Sequence, residues 1–175
     1  MQPARVRAQL DLPRPARHDA PVTDATPAFA IRRAHLDDVD AVAPLFDAYR
    51  VFYRQPADLA RARDWLHARL AADESVVLLA ERDGAAVGFA QLYPMHSSVR
   101  TARTWILNDL YVDAGARRGG AARALLDAAA AFAAAEGTAG ISLETTRDNA
   151  PARALYRAAG WGEDATQWYS RVLRD

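Results

Sequence analysis

Apolar and polar positions set out a sequence of short elements. Phe29-Ala30-Ile31-Arg32-Arg33 alternates and predicts a first strand. Asp37 or Asp38 then caps a helix to about Tyr49, whose apolar stripe is Val39, Val42, Leu45 and Phe46. Pro44 inside that stripe predicts a kink or a split. Tyr49-Arg50-Val51-Phe52-Tyr53 follows, stopped by Pro56. Asp58 opens a second helix to about Ala72, with Leu59, Ala62, Trp65, Leu66 and Leu70 at helical spacing. Ser75 to Glu81 is a buried strand, Asp83-Gly84 a hairpin turn, and Ala86 to Tyr93 the antiparallel return. Pro94 to Thr104 is a polar loop, and Trp105 to Val112 a strand rich in aromatic and branched residues.

A turn (Asp113 to Ala116), two arginines, two glycines and an alanine-rich helix come next, with Gly137 as the helix stop. Ile141 to Thr145 is another strand. Asn149 caps a short helix, Pro151 sits in its first turn and Gly160 ends it. Trp161 to Val172 predicts one or two closing strands. Hairpin strands followed by strand–helix–strand units predict an α/β (α+β) domain, a mixed sheet covered by helices. Met1 to Thr26 holds four of the nine prolines and no apolar periodicity, and reads as a mobile tail before a domain spanning 27–175.

Composition narrows the chemistry. At 175 residues and 51% hydrophobic, the chain suits one domain with a sizeable core. Lys+Arg 22 balances Asp+Glu 22, which gives no global attraction to nucleic acid or an anionic membrane. Zero cysteines exclude disulfides, thiolate metal sites and a cysteine nucleophile. The four histidines are scattered, so no metal site is expected. No apolar run approaches membrane-spanning length, and a cytoplasmic protein is expected.

The stretch Trp105 to Leu126 has the order strand, glycine-containing turn, helix N-terminus, which is how backbones hold phosphates. Gly119 and Gly120 lack a Cβ and let a ligand approach; Arg117 and Arg118 add charge and forked donors. The chain has no lysine, hence no G-x-x-x-x-G-K-[ST], and no G-x-G-x-x-G, so nucleoside triphosphates and dinucleotides lose support. What fits is Arg117-x-x-Gly120-x-Ala122 after Leu110-Tyr111-Val112. This resembles the acetyl-CoA signature [Q/R]-x-x-G-x-[G/A] of the GNAT superfamily of N-acetyltransferases. A second motif, Leu143 to Trp161, resembles that family's closing motif, with Asn149 and Tyr156 seven residues apart on one helix face and the small Ala152 between them. Tyr49 to Tyr53, Gln91 to Pro94 and Ile106 to Val112 are similar to a subgroup related to amine and amino-acid acetyltransferases.

The resemblance covers about Phe29 to Val172. It implies the GNAT fold, two strands splayed at the cofactor site, and acetyl transfer from acetyl-CoA to a primary amine. The diphosphate cradle would be the N–H groups from Arg118 to Arg123 (through Gly119, Gly120, Ala121 and Ala122), with the side chain of Arg117 or Arg118. The pantetheine arm would pair with the backbone of Leu110 and Val112, past Tyr111; an N–H at about Leu110 would hold the oxyanion. Asn149 and Ala152 would flank the cofactor, and Tyr156 would protonate the leaving thiolate.

An alkylamine of pKa near 10.4 is neutral only about 0.04% of the time at pH 7, so its proton needs an acceptor. In relatives an acid on the focal strand serves; the corresponding positions here are Ile106 and Asn108. Asp109 points to the opposite face by alternation unless a bulge turns it, and Glu144 on the neighbouring strand is the next choice. Tyr49, Tyr53, Gln91, Tyr93 and Asn108 are the expected walls of the acceptor site, an aromatic and acidic lining suited to a cation. A small-molecule amine acetyltransferase is the first reading. A protein lysine or N-terminal acetyltransferase and a non-catalytic acyl-CoA-binding domain are the others, and a homodimer stays open. No G-x-S-x-G elbow supports a hydrolase.

Overall fold

The computed structural model describes residues 29–173; the tail expected over Met1 to Thr26 lies outside them. Five strands pair in chain order: β1 (Ala30–Arg33), β2 (Val76–Arg82), β3 (Ala85–Ser97), β4 (Ala102–Val112) and β5 (Ile141–Ser142). The first four are antiparallel and β5 joins β4 in parallel. The helices are α1 (Val39–Phe52), α2 (Leu59–Ala71), α3 (Ala121–Ala135) and α4 (Ala150–Ala158). The sheet is the middle of three layers. On one face Val42, Phe46 and Leu66 of α1 and α2 bury Val77, Leu79 and Phe89. On the other, Leu125, Leu126 and Ala129 of α3 bury Leu78, Leu92 and Trp105, with Leu155 and Trp161 packed at the margin. Asp83 and Gly84 both take positive φ, 53° and 76°, the geometry of the tight β2–β3 turn.

Four elements depart from the sequence reading. The helix containing Pro44 neither kinks into two nor stops at Tyr49; α1 is continuous to Phe52. Pro44 removes one ladder bond, and burial of Val42, Ala43, Leu45 and Phe46 around it outweighs that loss. The extension carries Tyr49, Phe52 and, at the C-cap, Tyr53 on one helical end. The supposed loop Pro94 to Thr104 is mostly strand, pairing Pro94 with Trp105 and Ser97 with Ala102. β2 begins opposite Leu92, so β3 is an edge strand at Pro94, where a missing N–H is tolerated. This arm extends beyond the core, which is why its sequence lacks alternation.

The strand expected over Ile141 to Thr145 shortens to Ile141–Ser142. The closing strands expected over Trp161 to Val172 do not form; the described residues there have no regular structure, and Trp168, Tyr169 and Val172 stand exposed.

Candidate active site

β4 and β5 are paired only at Trp105↔Ile141 and Ile106↔Ser142. Beyond Ile106 the chain after β5 turns away, and a cleft of about 270 Å³ opens between β4, α4 and the end of α1. Leu107, Leu110 and Val112 form one wall, Leu143 to Thr145 and α4 the other. The Asp113 N–H bonds the Val87 carbonyl at 2.9 Å, on the β3 side. By strand alternation the polar backbone atoms of Leu110 and Val112 therefore face the gap. The Val112 carbonyl is already taken there, accepting from Arg117 Nε at 3.0 Å.

At the cleft's far end lies the start of α3. Gly120 is its N-cap with φ 93°, and no side chain caps the first turn. The N–H groups of Ala121, Ala122 and Arg123 have no partner inside the helix at that end, and the helix dipole adds partial positive charge. A Cβ built on Gly120 would meet nothing within 4 Å, so the space before the helix is free. An anionic diphosphate fits that cradle. Gly119 differs: its Cβ would come 3.0 Å from the Phe29 ring, a tight contact that the ring would have to shift to relieve. Arg117 lines the cleft with its guanidinium 5.8 Å from the centre of the Tyr111 ring, while Arg118 is exposed at φ 62°. The Arg123 side chain turns away, to Asp127 at 2.9 Å and the Ala158 carbonyl at 2.6 Å. Only its backbone remains for a cradle.

α4 supplies the opposite wall. Asn149 caps it: Oδ1 accepts from the Ala152 N–H at 3.3 Å and Nδ2 donates to Thr145 Oγ1 at 3.1 Å. Asn149, Ala152 and Tyr156 all face the cleft, at the helical spacing read from the sequence. The Tyr156 phenol is half-buried; burial first, and the nearby Tyr53 second, raise its pKa above the ordinary tyrosine value. The phenol is therefore protonated at neutral pH.

The acceptor end holds a correction. β4 carries one extra residue against β3: Gln91 pairs with Asp109 and Leu92 with Leu107, leaving Asn108 unpaired. The bulge breaks the alternation between Leu107, packed on the α3 side, and Asp109, which shares the α1 face with Tyr111. Asp109 is 7% exposed. Burial pushes its carboxyl above the usual carboxylate range, partly countered by the Asn108 amide at 3.1 Å and by the Tyr49 phenol. Tyr49 is raised in turn by burial, then by the Asp109 charge, with Tyr53 also beside it. Asn108, Tyr49 and Tyr53 line the cleft, and Asp109 sits one step behind them.

Glu144 also lines the cleft, but past the end of β5 rather than on it, exposed and without a hydrogen bond or ion pair among the described residues. Two expected walls are elsewhere. Gln91 is fully buried, donating to Ser75 Oγ at 2.8 Å. Tyr93 is half-buried beside Trp65 of α2 and does not line the cleft. Phe52 does line it; the sequence reading missed this residue because it ended the helix too early.

A parted sheet with a bare helix start at one end fits a ligand that carries a diphosphate and an extended arm. The chain belongs to the acetyltransferase (GNAT) family, whose model matches residues 40–161. It is an N-acetyltransferase that uses acetyl-CoA. It is 48% identical over 134 residues to an uncharacterized N-acetyltransferase, YhfO, of Bacillus subtilis (strain 168), covering 77% of this chain and 90% of that one. A solved probable acetyltransferase is 38% identical, with a TM-score of 0.80 over 83% of this chain and 99% of that one. A ribosomal-protein-alanine N-acetyltransferase of Brucella melitensis is 28% identical, with a TM-score of 0.69 over 85% and 99%. Among the described residues no helix is long and apolar enough to cross a membrane.

Proposed function

We propose that the chain acetylates the primary amine of a small molecule. The observation that carries this reading is the cleft itself. At about 270 Å³ it lies at the small end of ligand pockets, and it must also admit the cofactor's arm. Tyr49, Tyr53 and Tyr156 line its acceptor end.

Acetyl-CoA supplies an activated acetyl group on a thiol leaving group. The first-turn amides of α3 hold the diphosphate, and the gap-facing amide of Leu110 polarises the acyl carbonyl. The amine must arrive neutral, and Asp109 takes its proton through the Tyr49 phenol or a water. A carboxylate held above its usual range is a better base than an exposed one. Glu144, open to solvent, draws the ammonium to the cleft. Tyr156 gives its proton to the sulfur as the carbon–sulfur bond breaks and the carbon–nitrogen bond forms.

Assays of CoA release with small primary amines and with lysine- and alanine-initiated peptides test the reading. Turnover of small amines and not of peptides is expected. Preference for an alanine-initiated peptide, the class in the Brucella relative's name, would discard it.

Asp109 yields a prediction in which activity and stability move in opposite directions. Its folded pKa lies above the unfolded value of about 3.9, so the native state binds the proton more tightly. That contribution is present below pH about 4 and is lost as pH rises through the raised value. Asp109→Asn, fixed neutral, should melt higher than wild type at pH 7.5 and no higher at pH 3.5. Its turnover should fall about tenfold or more, losing the wild-type rise of rate through the raised pKa. Equal pH–rate profiles for the two proteins remove Asp109 from the proton path.

A further inference from the structure

We infer that the acceptor is a monoamine carried on a flat or branched apolar body, and that oligocations are excluded. The inference rests on the small-amine reading above and names the chemical class. The sequence promised a lining both aromatic and acidic; the structure keeps the first and removes most of the second. Arg117 and Glu144 are the charged residues on the cleft wall, and Arg117 belongs to the diphosphate end. Asp109, the other carboxylate nearby, is buried behind Tyr49 and Asn108, so it cannot pair with a second ammonium in the cleft.

A polyamine or aminosugar entering this end would bring several charges to one exposed carboxylate. Each unmatched ammonium would lose hydration against aromatic carbon. A monoamine brings one charge, which Glu144 attracts and the proton path then removes.

The apolar body has a place to lie. Tyr53 packs edge-on against Tyr49, their centres 5.0 Å apart, and Phe52 edge-on against Tyr53 at 5.2 Å. Phe52 is nonetheless 64% exposed and Tyr53 55%, beside the exposed Val51 and Leu59. Phe52 and Tyr53 both belong to the cleft wall, and Phe52, Val51 and Leu59 also line an adjoining pocket with Tyr111 and Arg117, so this apolar surface continues from the cleft. An aryl or branched alkyl group there would cover rings that the protein leaves open to water, and aromatic pairs favour the edge-on and offset geometries the two side chains already adopt.

The full chain with acetyl-CoA should be assayed for CoA release with 2-phenylethylamine and 3-methylbutylamine against spermidine and kanamycin. The expected result is at least about a tenfold higher kcat/KM for the two monoamines. Tyr53→Ser, at an exposed position, should raise the KM for 2-phenylethylamine about tenfold and leave the acetyl-CoA-induced rise in melting temperature intact. Equal or better turnover of the polycations overturns the inference while leaving small-amine transfer standing. Turnover of no amine, with acetyl-CoA still raising the melting temperature, overturns both. An unchanged KM in Tyr53→Ser removes the aromatic surface from acceptor binding.

Discussion

Gly120→Asp should lose acetyl-CoA binding by about a hundredfold or more while the folded protein becomes no less stable than Gly120→Asn. The two substitutions have nearly the same shape and differ in charge. Both tolerate the left-handed backbone better than other side chains, so the strain at φ 93° is shared and of order 1 kcal/mol. Neither side chain meets protein, because a Cβ at Gly120 has nothing within 4 Å. They enter the space before the α3 amides. There a carboxylate is favoured by the helix dipole in the absence of ligand, by about 0.3–1 kcal/mol. The same carboxylate repels a diphosphate.

The apo melting temperature should therefore rank Asp at or above Asn, and the cofactor-induced shift should rank Asn well above Asp. Calorimetric titration of acetyl-CoA at low salt reads the affinity directly. Equal affinities for the two variants would falsify the diphosphate cradle.

Tyr156→Phe should lower kcat by about 10²–10⁴-fold with acetyl-CoA affinity unchanged. The phenol makes no hydrogen bond among the described residues, so its removal costs the fold little. Its burial keeps the proton on at neutral pH, and the raised pKa places the high-pH loss of activity above pH about 10 in the wild type. Rates in Tyr156→Phe should lack that descending limb. Stopped-flow measurement of CoA release separates this step from binding. A variant within threefold of wild-type kcat would assign thiolate protonation to water.

The cofactor half of this site was legible in the sequence because its parts are local. Arg117 to Ala122 follows a strand and opens a helix, and Asn149, Ala152 and Tyr156 share one face of another. Each relation is carried by spacing along a single element. The acceptor half depends on relations between elements, and the sequence read it less well. Asp109 lies on the α1 face only because Asn108 is extra against β3, and no residue type at Asn108 announces a bulge. Phe52 reaches the cleft because tertiary burial carries α1 through Pro44. Gln91 was expected as a wall, but it is buried in the core, its amide nitrogen donating to Ser75 just before β2. The C-terminal aromatics Trp168 and Tyr169 fit a strand by propensity, and propensity alone does not form one.

Main-chain bonds tie β4 to the chain from Ala139 to Ser142, and among the described residues none ties it to the chain beyond Ser142. The breadth of the opening is thus a matter of side-chain bulk, to which Leu107, Leu143 and Leu155 on the cleft wall contribute. Tolerance for donors longer than acetyl accordingly falls to three leucines, which point substitutions can trim without unzipping the sheet.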